Sequence, residues 1–249
     1  MPSVIAIIPA RLASRRFSRK VLYRINGKPL IFYAWQAACR ARLVERVYVA
    51  TDSEEIGRAV NGFGGTVILT SPRPRNGSER AAEAIRGIKA DIIINIQADN
   101  VGLPGTMLDR IVRAMKADQT IAFATLARPI IGKRGKEKVR NPDVVKVVPT
   151  ADGHAGWFSR QAIPYVRDSR RSGRGEKIIY WEHIGVYFFR RKALIEYAGW
   201  PPTTAEKAES LEQLRILENG GRIRLFLTRA DVVSVDSRKT AEKLQRRLL

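Results

Sequence analysis

The sequence predicts an α/β fold: a doubly wound, mostly parallel central sheet with a smaller antiparallel section, all within a single domain over residues 1–249. Three observations carry that expectation. Short β-branched apolar runs lack polar alternation, as strands buried on both faces of a parallel sheet must. Those runs alternate with segments of helical periodicity, which implies parallel pairing through right-handed crossovers. A hydrophobic fraction of 45%, with only 12 Pro and 19 Gly, supplies the apolar surface for a core and excludes a disordered or collagen-like chain.

Val4 to Ile8 is a continuous apolar run and the first strand. From Pro29 to Arg42, Leu30, Ala34, Ala37 and Ala38 fall at helical spacing, and Pro29 suits the first turn, where its missing N–H is no loss. Val47 to Ala50 is the second strand, and Thr51-Asp52-Ser53-Glu54-Glu55 has the polar cap and acidic first turn of a helix start. Thr66 to Leu69 is the third strand, Asn76 to Arg86 a further helix opening, and Asp91 to Ile96 the most strand-like run in the chain. A helix from about Thr106 to Lys116 closes this βαβ series. Beyond residue 120 the pattern changes to strand-like runs at 121–127, 144–148 and 184–189, with helices near 205–218 and 238–248.

Subtracting 24 Asp and Glu from 45 Lys and Arg leaves a formal charge of +21. Such an excess raises a nucleic-acid partner, because clustered cations release counterions from phosphates. The cations are instead spread along the chain, densest at 133–140 and 167–177, two runs expected to be exposed loops. No RNP motif, zinc finger or aromatic-basic interleaving accompanies them. The single cysteine, Cys39, excludes an internal disulfide framework and a Cys-based zinc cluster, and fits a reducing compartment. The N-terminus lacks the basic segment of a signal peptide, and no run approaches the roughly 18 to 20 apolar residues of a membrane span, so a soluble cytoplasmic chain is the expectation.

In an open α/β sheet ligands bind beyond the carboxyl ends of the strands, which points to the loops beginning at Pro9, Asp52, Ser71 and Gln97. The first of these is Pro9-Ala10-Arg11-Leu12-Ala13-Ser14-Arg15-Arg16-Phe17-Ser18-Arg19-Lys20. Four arginines and a lysine directly after a buried strand form an anion trap, since guanidinium forks chelate phosphate oxygens and lysine adds a compact charge. A polyphosphate is the obvious guest, with a solvated basic loop as the alternative. Gly77, Ser78 and Arg80 open a helix in a third ligand-end loop, where Ser78 would serve equally as N-cap or as ligand contact.

At this point the chain resembles the sugar-acid cytidylyltransferases, most closely their 3-deoxy-manno-octulosonate (Kdo) branch. The residues that carry the resemblance are Ile8-Pro9-Ala10-Arg11 with Ser14 and Arg16, Ile25-Asn26-Gly27-Lys28-Pro29-Leu30, Val49-Ala50-Thr51-Asp52 and Gly77-Ser78-Glu79-Arg80. Further along come Asn141-Pro142 with Val145-Lys146-Val147-Val148, Phe158-Ser159-Arg160 with Ile163-Pro164, His183-Ile184-Gly185-Val186-Tyr187, Leu211-Glu212-Gln213-Leu214-Arg215 and Val235-Asp236. Each match is weak alone, but the set runs in family order from residue 4 to about 245 and is specific.

The resemblance implies a nucleotide-diphospho-sugar transferase-like fold and a magnesium-dependent reaction. In it the anomeric hydroxyl of a ulosonic acid attacks the α-phosphate of CTP and expels pyrophosphate. Such a displacement needs cations on the phosphates and carboxylates to hold the metal. By analogy Pro9, Ala10, Arg11, Ser14, Arg16, Lys20, Ser78 and Arg80 would meet the nucleotide, with Arg11, Lys20 and Asp99 closest to the chemistry. Asp99 and Asp236 would hold Mg2+, and Gln97, Arg160, His183, Glu212 and Gln213 would receive the sugar acid. The family also implies a homodimer, with dimerisation and sugar binding in the antiparallel section within about 140–190.

Two departures fall in the active-site segments. Where the family has Pro-Gly-Lys this chain has Ser18-Arg19-Lys20, which predicts a rebuilt loop, because glycine takes positive φ cheaply and arginine does not. Where the family has Gln-Gly-Asp-Glu-Pro this chain has Gln97-Ala98-Asp99-Asn100-Val101, one negative charge fewer beside the expected metal. Thr203-Thr204-Ala205-Glu206-Lys207 also lacks the family's Pro and His. Alternatives are therefore a diverged paralogue taking another sugar acid, of N-acylneuraminate or amino-Kdo type, or a basic nucleic-acid-binding protein on a transferase fold.

Overall fold

The computed structural model describes residues 2–12, 17–132, 135–167 and 179–248. In chain order the first elements are β1 (Val4–Ala10), a 3-10 turn (Lys20–Leu22), β2 (Arg24–Ile25), β3 (Lys28–Pro29), α1 (Leu30–Cys39), β4 (Arg46–Thr51) and α2 (Glu54–Asn61). There follow β5 (Thr66–Leu69), α3 (Gly77–Ala84), β6 (Ile92–Ile96), β7 (Asn100–Val101), α4 (Gly105–Ala117), β8 (Phe123–Pro129), α5 (Gly135–Arg140), β9 (Lys146–Pro149), β10 (Ala155–Ser159) and β11 (Trp181–Arg190). The chain ends with α6 (Arg191–Gly199), α7 (Thr204–Glu209), α8 (Leu214–Glu218), β12 (Ile223–Leu227), β13 (Val233–Ser234) and α9 (Arg238–Leu248). These residues gather into two compact units, one of 1–123, 185–200 and 230–249, the other of 124–184 and 201–229.

The first unit has the expected α/β architecture. Its strands run in the order β11-β6-β1-β4-β5; β6, β1, β4 and β5 are parallel, and the second half of β11 joins β6 in antiparallel register. Every residue of β1 is buried, because a strand between two neighbours in a covered sheet meets apolar atoms on both faces. Val4, Ile5, Ile7 and Ile8 each contribute about 1.5–3 kcal/mol by leaving water. Helix α1 buries Leu30, Ile31, Ala34, Ala37 and Ala38, the stripe that the sequence spacing predicts, and Pro29 stands at its N-cap. Helix α2 begins where Ser53 accepts a hydrogen bond from the Ile56 amide, at 3.3 Å. Since four strands run the same way, the loops after β1, β4, β5 and β6 leave from one edge.

The C-terminal segment returns to that edge. Strand β13 pairs antiparallel with β7, Val233 opposite Val101 and Ser234 opposite Asn100, and the Val235 amide donates to the Asp99 carbonyl at 3.0 Å. Val235 then enters a buried cluster with Ile25, Leu30, Val101, Ala241 and Leu244. This apolar seat fixes residue 236 beside residue 99.

In the second unit β9 pairs antiparallel with β10 and with the start of β11, and β12 pairs β8. Two sequence expectations are corrected here. Residues 135–140 form the helix α5, not a loop, and it buries no residue; positions 133 and 134 lie outside the described residues. Of the run at 167–177, Arg167 is exposed and the rest lies outside the described residues. The helix expected over 205–218 is two helices, because Ser210 takes a left-handed conformation (φ 52) that ends α7 and the chain re-enters helix only at Leu214. Glu212 and Gln213 therefore sit on the turn between them.

Candidate active site

The arginine-rich loop expected to hold phosphate leaves β1 at Ala10, with Pro9 and Ala10 buried and Arg11 exposed. Ser14 and Arg16, expected to meet the nucleotide, lie outside the described residues together with Ala13 and Arg15. The loop is closed by backbone bonds from Arg19 N to Leu12 O at 3.3 Å and from Leu22 N to Arg19 O at 2.9 Å, which set the 3-10 turn carrying Lys20. Arg19 occupies φ 55, ψ 27, the left-handed region that glycine takes cheaply and arginine does not. The side chain accepts the left-handed conformation, at about 1–2 kcal/mol, and its guanidinium pairs with Glu55 of α2.

Lys20 is the centre of the site. Its Nζ donates to Asp99 Oδ2 at 2.6 Å and lies 3.5 Å from Asp236 Oδ1. Asp99 follows β6 and Asp236 follows β13, so the two carboxylates come from distant parts of the sequence joined by the β7–β13 ladder. Burial opposes the Lys20 charge, but Asp99 and then Asp236 outweigh it and hold the ammonium above the usual lysine value. Burial lifts the Asp99 carboxyl; Lys20 pulls it back, Asp236 pushes it up again, and it ends above the usual carboxylate value.

Among the described residues no group of three or more His, Cys, Asp and Glu gathers in the manner of a metal cage. The Asp99–Asp236 pair nevertheless fits magnesium, which takes one or two carboxylates and completes its shell with water and substrate phosphates. The Lys20 ammonium already shows that these two carboxylates accommodate a positive charge between them.

The third ligand-end loop is more structural than the sequence suggests. Asn76, not Ser78, caps α3, accepting from the Glu79 amide at 2.9 Å. Ser78 is buried and accepts from Asn95 Nδ2 at 3.0 Å. Arg80 is only 4% exposed; its guanidinium donates to Thr70 Oγ1 at 2.5 Å, to the Ser71 carbonyl at 3.3 Å and to Asp52 Oδ2 at 3.2 Å. It ties the loops after β4 and β5 to α3. Gln97 reaches Asn95 Oδ1 at 3.4 Å, and a Cβ on Gly77 would stand 2.6 Å from its amide nitrogen and 3.1 Å from Pro9, so any larger residue there would push the Gln97 amide aside and press on Pro9. Asn100, which replaces the family's glutamate, is buried with its amide on the Gly185 carbonyl at 2.8 Å.

The other expected sugar-acid residues belong to the second unit. His183 is buried, 2.9 Å from Thr125 Oγ1 and edge-on to Phe158 with ring centroids 5.0 Å apart. Burial lowers its pKa to about 3, so the imidazole is neutral. Arg160 directs Nε, Nη1 and Nη2 at the carbonyls of Glu209 (2.6 Å), Pro142 (3.0 Å) and Ser210 (3.4 Å). Gln213 is buried at the start of α8, and Glu212 beside it is half-buried. Sequence reasoning missed Asp52 as the partner of Arg80, Asn95 as the support of Ser78 and Gln97, and Glu209 as the carboxylate under Ser159 and Arg160; a buried asparagine within an otherwise isoleucine-rich strand was the one visible signal.

A parallel sheet whose strand ends gather a lysine between two aspartates is an arrangement fit for an anionic ligand, and the comparisons give the class, α/β nucleotidyltransferases. HddC from Yersinia pseudotuberculosis, complexed with GMP-PN, has the same fold at a TM-score of 0.67 and 13% identity, with full coverage of both chains. The cytidylyltransferase family model matches residues 5–224, and the chain belongs to that family of nucleotidyltransferase enzymes. The 3-deoxy-manno-octulosonate cytidylyltransferase of Geobacter sulfurreducens is 40% identical over 251 residues, covering 99% of each chain. The protein of that name from Pelobacter propionicus is 40% identical over 240 residues, covering 94% of this chain and 93% of the relative. The solved structure of a CMP:2-keto-3-deoxy-manno-octonic acid synthetase complexed with CTP is 34% identical and superposes with a TM-score of 0.88 over 99% of this chain and 98% of that one. Among the described residues no helix is long and apolar enough to cross a membrane.

Proposed function

We propose that the chain couples CTP to a ulosonic acid of the Kdo type, in a magnesium-dependent reaction that yields a CMP-sugar acid and pyrophosphate. The observation that carries this is the Lys20 ammonium held between Asp99 and Asp236 at the carboxyl edge of the sheet. Relatives named for Kdo at 40% identity over nearly the whole chain support Kdo as the acceptor.

The anomeric oxygen of the sugar acid forms a bond to the α-phosphorus as the bond to the bridging oxygen breaks, pyrophosphate leaves with that electron pair, and the hydroxyl proton is released. Arg11 and Lys20 neutralise the triphosphate and orient it for in-line attack. Asp99 and Asp236 would hold magnesium, which supplies charge neutralisation on the transferred and leaving phosphates. Pro9, Ala10 and Ser78 are proposed to frame the nucleotide, and Arg80 acts by fixing the loops around it. Gln97, Arg160, His183, Glu212 and Gln213 stand as the proposed sugar-acid residues. The same family reading makes the chain a cytoplasmic homodimer.

The test is a panel of Kdo, 8-amino-Kdo and sialic acid against CTP and other nucleotides with magnesium, with product masses read directly. Pyrophosphate and CMP-Kdo formed only when all three components are present is the expected result. A preference for 8-amino-Kdo or sialic acid corrects the acceptor, and no product with any sugar acid overturns the proposal.

A further inference from the structure

Lys146 is the first residue of β9 and is fully buried. Its Nζ donates to three backbone carbonyls: Asn141 at 3.0 Å, Val144 at 2.5 Å and Arg160. An ammonium has three N–H donors, and all three have a carbonyl here. Among the described residues no carboxylate lies within ion-pair distance of it; Glu209 and Glu182 act on it only from further away, and Arg160 repels it. A methionine of similar length would remove no charge from water but would take the donor from three carbonyls, so what the lysine contributes here is its grip on three backbone groups, not apolar packing.

What the ammonium holds is a clasp. The carbonyl of Arg160 faces Lys146, the Arg160 amide donates to Glu209 Oε2 at 2.7 Å, and the Arg160 guanidinium grips the carbonyls of Pro142, Glu209 and Ser210. Ser159 Oγ adds a bond to Glu209 Oε1 at 2.6 Å. The clasp therefore fastens segments 141–146 and 159–160 to the left-handed turn at Ser210, two residues before Glu212 and three before Gln213. The other end of that turn is anchored by the buried Arg215–Glu206 pair, at 2.6 and 2.7 Å.

We infer that Lys146 is a positioning residue of the sugar-acid subsite: by tying β9 to the Arg160–Glu209 clasp it sets the turn that presents Glu212 and Gln213 to the acceptor. This rests on the acceptor reading above. Errors of about 1 Å in a binding group cost up to about 100-fold in rate, so a tie of this kind is worth far more to the site than to the fold. Burial, with a contribution from Arg160, lowers the Lys146 pKa to about 8. A neutral amine has two N–H donors for three carbonyls, so deprotonation releases one tie. Folding stability moves the other way: the unfolded lysine keeps its proton up to about pH 10.5, so between about 8 and 10.5 the unfolded state binds more protons and stability rises with pH. A loosened subsite and a firmer fold over one pH window separate a positioning role from a purely structural one.

The test compares full-length wild type and Lys146→Met. The variant is expected to raise KM for the sugar acid about 10-fold or more while KM for CTP stays within about twofold. Wild-type KM for the sugar acid rises from about pH 7.5 to about pH 9, whereas that of the variant is flat. Hydrogen exchange provides a readout free of turnover: amides of Arg160 and of residues 210–214 exchange faster in the variant, and those of β6 do not. Unchanged exchange at the turn, or equal effects on both KM values, overturns the inference. Wild type without turnover on any sugar acid would sink the acceptor reading instead, and exchange would still decide the clasp. If Lys146→Met does not fold, Lys146→Gln, which keeps two donors, is expected to give the same changes at smaller size.

Discussion

Lys20 and Lys146 are both withdrawn from bulk water and both ringed by oxygen atoms, yet their ammonium groups respond in opposite directions. Lys20 faces two carboxylates in the first unit and keeps its proton above the ordinary lysine range. Lys146 faces three carbonyls in the second and falls to about 8. Carbonyl dipoles satisfy hydrogen bonds but return too little of the lost hydration, whereas full negative charges return it and more. The first arrangement suits a residue that must stay cationic against phosphate; the second suits one whose grip is geometric.

The largest break in this contrast is at Asp99. Asp99→Asn takes away one of the two carboxylates facing Lys20 and half of the proposed magnesium pair, and turnover is expected to fall about 1,000-fold or more with the circular dichroism spectrum intact. Turnover within about twofold of wild type would remove Asp99 from the site. Next comes Lys20→Met, expected to cost about 100-fold in kcat/KM for CTP and to leave two neighbouring carboxylates uncompensated. In magnesium-free buffer its thermal midpoint should drop below wild type, and magnesium should close part of that gap; a midpoint blind to magnesium would argue against the two aspartates as ligands.

A smaller effect sharpens the contrast from the side of a neutral group. His183 has a folded pKa of about 3 against an ordinary value of 6.5, so the unfolded chain gains a proton that the folded one refuses. Its contribution is complete above pH 6.5 and is lost as pH falls toward 3, at about 1.4 kcal/mol per pH unit. Urea titrations of wild type and His183→Asn at two pH values in that window should show the steeper loss in wild type. Equal slopes would place a protonated imidazole in the fold. The least effect is expected at Arg19. Arg19→Gly relieves the left-handed strain and loses both an exposed ion pair and chain stiffness, so stability should stay within about 0.5 kcal/mol of wild type.

Much of this was legible in the sequence. The unbroken apolar run of β1 and the five-residue core of β6 announce two-sided burial, and the Ser53 cap announces α2, because each signal is local. Lys20 and Asp99 were legible as charged groups after strands. The break at Ser210 was not, since nothing in the residue forbids helix there; the left-handed turn is selected by the clasp that grips Glu209 and Ser210. Nor was the inward turn of Arg80, whose guanidinium found Asp52 across 28 positions of sequence.

By itself the sequence determined the alternation of strands and helices and the strand ends at which charge collects, because periodicity and strand burial act over a few residues. The resemblance already paired Asp99 with Asp236, but only tertiary structure decided how they are joined and that Lys146 meets Arg160. The first pair is joined by a ladder of two residues and an apolar seat under Val235, the second by a single ammonium with three carbonyls. Contacts of that kind depend on distance in space, and spacing along a chain does not encode them.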